Sequence, residues 1–450
     1  MKKRLKITPV LITLNILIIL VIISFYVTRM YKFYKEENYV DTNNSQVTIY
    51  DQIVKTQNYV DLTKGLVYDE ENNVYRYKGK IDNNYLYYSG VMYRIVELDN
   101  YNNVKLITDD VVTLIYSGLD KEYNKSFVNK WLNKTEEEHS GIYEHNIYNT
   151  DLLATTSMCL DIIDELTKIT CKSVNTDNKI SILSLYDYSY AGGKQSYLNT
   201  GESFYLSTLN SNKQEYYVSS TGDIGLNEDK ILGVRPVITI KGDTEYIKGK
   251  GTKDNPYIVE EHKVENINNA YIGSYISLNN ITYKIIDINE DKIKVSTIEA
   301  LKDTENNLIE KTFSNKSNLY SIDKNTLGYY LNNDYYKTLN KDLIVKSDFY
   351  IGSYTNTNKD YTLTYNKKIN TYVGLISLAD MYVNEVENVF TMNPSYETSL
   401  TLYTINNKKN AFKDLVTSKY NVRPTFYIKK DIEVLNGEGT KDSPYILKEV

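Results

Sequence analysis

The passage VRPVITIKGDTEYIKGKGTKDNPYIVE, residues 234–260, returns as VRPTFYIKKDIEVLNGEGTKDSPYILKE at 422–449. Aligned without gaps, 234–258 and 422–446 share 15 of 25 residues. That is beyond a common strand pattern, and it reads as a duplication. Three looser blocks recur in the same order. MYRIVELDNYNNVKLIT (92–108) matches TYKIIDINEDKIKVST (282–297), FVNKWLN ending at Asn133 matches LGYYLNNDYY around Asn332, and ISILSLYDY (180–188) matches VGLISLADMY (373–382). The chain therefore divides into a first module at 65–262 and a second, diverged copy at 263–450. Each is expected to enclose its own apolar interior behind an equivalent last strand.

Within one module, the 92–108 block reads as strand, polar turn, strand. SFVNKWLN reads as a short helix capped by Ser126, and LLATTSMCLDIIDELTK as a second helical segment. The fold class is α+β, with twisted antiparallel strands and a few short helices. In the repeated passage VITI alternates as a half-buried strand does. Pro236 and Pro424 lack a donor, so they belong at a strand start or edge. Arg235 and Arg423 precede them. They are read as structural, pairing with an internal carboxylate or capping buried carbonyls. The GTKDNPYIV ending is a turn and closing strand, not a P-loop, because GxxxxGK[ST] is absent.

The first 64 residues carry a different signal. Residues 1–6 are basic, 7–28 hold no charge, and 29–64 are polar. Twenty-two uncharged, mostly apolar residues at about 1.5 Å each come close to a bilayer core. A cleaved signal peptide is the other reading. The expectation is a single-pass transmembrane signal-anchor at 7–28, with 1–6 as a cytoplasmic tail and 29–64 as a juxtamembrane stalk or helix. The excess of Lys and Arg ahead of the span places the bulk of the chain outside the cell membrane. Cys159 and Cys171 fit that placement as a disulfide; two buried or free thiols is the alternative. With three histidines and no metal spacing, no metal site and no cofactor are expected.

Net charge is −6, which argues against nucleic acid. The 46 tyrosines tilt the composition towards strands. Tyr186, Tyr188, Tyr190 and Tyr197 gather around the AGG loop. They are the candidate ligand-binding surface, since a Tyr offers a flat apolar face and a hydroxyl. The bland alternative is that they pack the module. No GxSxG, HExxH or GxGxxG occurs, so no catalytic residue is assigned.

YYSGVMYRIVELDNYNNVKLIT, SILSLYDYSYAGG, YLNTGESFYLSTL and GVRPVITIKGD resemble a group of uncharacterised exported proteins of low-GC Gram-positive bacteria and their relatives. The module of that group is similar to the C-type-lectin-like fold of formylglycine-generating enzymes. The resemblance covers about 79–260 well and the second module weakly. The resemblance brings no activity with it; taken with the apolar span, the expectation is a membrane-anchored cell-surface protein that binds or scaffolds, with wall glycan or a surface protein as partner. An extracytoplasmic enzyme on the same scaffold is the alternative. The calcium-lectin motifs and the oxidative cysteine context are missing, so no functional residue carries over.

Overall fold

The recurring blocks become antiparallel ladders. In the first half Val91–Leu98 pairs with Val104–Thr108, which pairs in turn with Pro236–Ile240. In the second, Ile281–Ile288 pairs with Lys292–Thr297, which pairs with Pro424–Lys429. The computed structural model describes residues 46–56, 64–70, 72–136, 139–289, 291–352, 354–357, 360–363, 367–381, 388–396 and 398–448.

The first half builds a 9-stranded mixed sheet and a 5-stranded sheet; the second builds an 8-stranded and a 5-stranded sheet. In each large sheet the final strand, Tyr257–Ile258 or Tyr445–Leu447, runs parallel to the strand just before the repeated hairpin, Tyr85–Tyr88 or Tyr275–Leu278. In each small sheet a parallel bridge joins equivalent strands, at Phe204 with Gly233 and at Val389 with Asn421. Among the described residues no strand of one half pairs with a strand of the other.

The side chains repeat as faithfully as the strands. Helix Phe127–Leu132 is capped by Ser126 and helix Leu327–Asn333 by Thr326, each through its hydroxyl oxygen. Just beyond the first helix Asn133 grips Ile180, its amide donating to the carbonyl (2.8 Å) and accepting from the N–H (3.1 Å). At the end of the second helix Asn332 does the same to Val373, at 2.9 and 3.0 Å. Tyr123 and Tyr320 donate to the same two carbonyls, both at 2.7 Å. Arg235 and Arg423 are 1 % and 2 % exposed. They reach back to Thr108 O (2.9 Å) and Thr297 O (2.5 Å), the ends of equivalent strands. Arg235 also donates to Leu198 O (2.7 Å), so it caps buried carbonyls rather than pairing with a carboxylate. Pro236 and Pro424 each open a strand.

The duplicated tail is explained by close approach. A Cβ on Gly249 would lie 1.8 Å from Pro256 O, and one on Gly437 would lie 2.2 Å from Pro444 O. The turn folds so tightly on itself that only hydrogen fits there.

Several expectations are corrected. No helix among the described residues is long and apolar enough to cross a membrane. The proposed anchor at 7–28, with its flanks 1–6 and 29–45, lies outside the described residues. What the described residues form is an α+β unit with mixed sheets, which lends the transmembrane, signal-anchor and cell-membrane assignments no support. Part of the supposed stalk is packed structure. Helix Ile49–Thr56 buries Ile49 and Ile53, and Val47 O accepts from Tyr246 N. The expected helical segment over 152–168 is absent. Met158–Cys159 instead pairs with Val174–Asn175, and Cys159 and Cys171 form a disulfide across that hairpin. Asp161 takes the Lys172 and Ser173 N–H groups, which competes with helix formation.

The two interiors are not separate either. One continuous apolar core runs through both halves. Trp131 Nε1 donates to Ala379 O (2.9 Å), Ala379 N to Leu114 O (2.8 Å), and Thr113 Oγ1 to Asp380 O (2.8 Å). Residues Val47–Val450 form one compact unit.

Candidate functional site

Charged residues sit inside apolar strands at matching places of the two halves. In the first hairpin the pairing slips between Ile95 and Glu97, leaving Val96 as an extra residue and setting Glu97 opposite Lys105. In the second it slips between Ile285 and Asp287, setting Asp287 opposite Lys294. Such a bulge re-aims the side chains beyond it. A third charge comes from the 180–188 block and its copy. Lys105 Nζ lies 3.0 Å from Asp187, and Lys294 Nζ lies 2.7 Å from Asp380. Each half thus holds a carboxylate–lysine–carboxylate trio on the face of its large sheet.

The first trio has additions. Arg76, from strand Val74–Lys78, reaches Asp187 (2.7 Å), Glu97 (2.6 Å) and Asp69 (3.2 Å). Ser184 caps helix Leu185–Tyr190 and donates to Asp187 at 2.9 Å. Burial works to raise the Asp187 carboxyl, but Lys105 and Arg76 outweigh it and hold it down at about 2. Glu97 goes the other way. Burial pushes its carboxyl up against the pull of Lys105 and Arg76. Its Oε2 touches Arg76 yet accepts no aligned hydrogen bond. Two cations thus face three carboxylates, and Glu97 is the least satisfied.

Above this floor lies a cleft of about 510 Å³. Glu97, Lys105 and Arg76 line its base, with Asp99 and Asn103 on one wall and Thr155 and the Cys159–Cys171 disulfide on the other. Asp99 already accepts from Tyr101 N and Asn103 N, both at 2.8 Å, so it is engaged in its own turn.

The four tyrosines do not form one surface. The segment that leads into the AGG loop is the helix Leu185–Tyr190, so Tyr186 and Tyr190 share one face while Tyr188 points to the opposite side. Tyr188 is in the core, donating to Gly222 O (2.7 Å) and meeting Phe204 edge-on. Tyr197 is also buried, with the Arg94 guanidinium 4.9 Å from its ring. Tyr186 and Tyr190 are half-buried and place their rings 5.3 and 5.4 Å from the Arg76 guanidinium. They hold Arg76 over the trio.

Reading the repeats for apolar pattern missed Arg76, Glu97, Lys105 and Asp187. The signal was available. The same alignment puts an acid at 97 and 287, a lysine at 105 and 294, and an aspartate at 187 and 380. Among the described residues no group of three His, Cys, Asp or Glu side chains is placed to hold a metal ion.

No protein-family model, no curated protein and no solved structure matches the chain. The lectin-like, cell-surface and wall-glycan readings rest on nothing in the fold or in these comparisons. They are withdrawn together with the bilayer and the surface protein as partners.

Proposed function

We propose that the protein binds a small amine-bearing ligand in the cleft above Arg76, Glu97, Lys105 and Asp187. The observation that carries this reading is the repetition of a charged trio, buried in the first half and partly buried in the second, each time lining a cavity. Taking charges out of water costs more than their pairing often returns, so a charged trio kept in both halves calls for a reason beyond stability. The cleft volume is in the range of small-molecule sites. The chemistry of the ligand follows from the charge count. Three carboxylates face two cations, so a further positive group compensates Glu97. Hydroxyls on the ligand suit Asn103 and Thr155 at the walls.

The test is titration of the full chain near neutral pH with 1,4-diaminobutane and with its uncharged counterpart 1,4-butanediol, followed by calorimetry. Binding of the diamine alone is expected. Glu97→Gln should weaken it about tenfold or more, the loss of one charge-assisted contact. Thr155→Trp should block it from the exposed wall without touching the trio. Equal heats from diamine and diol, or binding unchanged in both variants, would overturn the proposal.

A further inference from the structure

The second trio has its own cavity, of about 200 Å³, with different walls. Asp287, Lys294 and Asp380 line it, as their counterparts line the first. The polar wall of the first cleft is replaced by Phe349, Tyr350 and Tyr427. His139 and Ile142 close it from the first half of the chain. We infer that this cavity is a second ligand site, and that it takes an amine carried on an aromatic ring.

The head group is set by the floor. Lys294 and Asp380 satisfy each other, with the ammonium 2.7 and 2.9 Å from the two carboxylate oxygens. Ser377 N also donates to Asp380, at 2.7 Å. Asp287 is left with a 3.3 Å hydrogen bond from Asn289 and, among the described residues, no ion pair. The surplus is again one carboxylate, and burial pushes it up. The body of the ligand is set by the walls. Phe349 and Tyr427 meet edge-on at 5.2 Å and His139 meets Tyr350 edge-on at 5.6 Å. These rings offer faces and edges to a third, and the volume admits one ring with a short arm.

The site depends on both halves. Ala379, next to Asp380, has φ of 72°, a left-handed conformation that a residue with a Cβ adopts at a cost. The Leu114 carbonyl and the Trp131 indole hold it there. In the first half the equivalent residue is Tyr186, inside a helix. The second floor is therefore shaped by the grip of the first half.

The charge logic is shared with the first cleft, but residues and probe differ, so the two readings fail separately. The experiment titrates the full chain with 2-phenylethylamine and with 2-phenylethanol, read by NMR shifts and calorimetry. One amine is expected to bind per chain, and the alcohol at least about tenfold more weakly. Binding should survive Glu97→Gln and Thr155→Trp, and should be lost in Asp287→Asn and Ile142→Trp. Trp131→Phe should weaken it several-fold while leaving 1,4-diaminobutane binding unchanged. Loss in Glu97→Gln with retention in Asp287→Asn would assign the amine to the first cleft and sink the second site. No binding, or equal affinity for amine and alcohol, would sink it as well.

Discussion

Glu97 and Asp287 owe their positions to one extra residue each. Val96 and Ile286 are the bulged residues of their hairpins. Without them, the strict alternation of a strand would send the acids to the other face. Arg235 illustrates the opposite use of a buried charge. Among the described residues it has no carboxylate partner, and it satisfies the carbonyls of Thr108, Leu198 and Asp109; burial pulls its guanidinium below the ordinary range. Arg235→Met should leave those acceptors bare and cost about 3 kcal/mol or more. Denaturant unfolding of the two proteins checks this, and a loss under about 1 kcal/mol would mean that water replaces the guanidinium. Both arginines were legible as structural residues from their place before a strand-opening proline. What they cap was not, because Thr108 lies 127 residues away.

At the scale of elements, the tail turn gives the sharpest expectation. Gly249→Ala must push a methyl group into Pro256 O and should cost about 2 kcal/mol or more. Gly65 also has positive φ, but nothing lies within 4 Å of its Cβ position. Gly65→Ala should therefore cost only the backbone strain, about 1 kcal/mol. Thermal or urea unfolding of both variants separates crowding from strain; similar losses would show that the turn gives way. The elements that sequence pattern located well are those with local causes, such as the Ser126-capped helix and the strand after Pro236. The helical segment expected at 152–168 failed because its apolar residues were counted while the hairpin that the disulfide spans and the hydrogen bonds to Asp161 were not. The shared tyrosine surface failed for a related reason: the helix Leu185–Tyr190 was not read. A helix of six residues is too short to show a period, yet its Ser184 cap was there to be read.

For the whole molecule, the buried carboxylates set opposing pH trends. Asp187 is held at about 2 against an ordinary value of 3.8. Its stabilising share is present above the ordinary value and is lost as pH falls between the two. Glu97, Glu215, Glu260 and Asp287 are all pushed up by burial. For these the folded state holds a proton that the unfolded chain has released, so stability declines as pH rises above the ordinary carboxyl range. Maximum resistance to urea is therefore expected in mildly acidic solution, and Glu97→Gln should flatten the decline towards neutrality. A stability that climbs steadily to neutral pH would contradict this balance. The same scale explains why the halves do not stand alone. Trp131, read as apolar helix core, sends its N–H across to Ala379. The apolar interior continues across both halves behind it.

The sequence by itself determined the duplication, the α+β character, the strand-opening prolines and the tail that closes each half. These depend on short-range chemistry: β-branched runs, a ring that lacks an N–H, glycines that lack a Cβ. Tertiary structure alone decided that Glu97, Lys105, Asp187 and Arg76 would meet, that the four tyrosines would part, and that two repeats would share one core. Those outcomes turn on bulges, helix phase and contacts between residues more than a hundred positions apart, where a change of one residue in register reverses which side chains face each other.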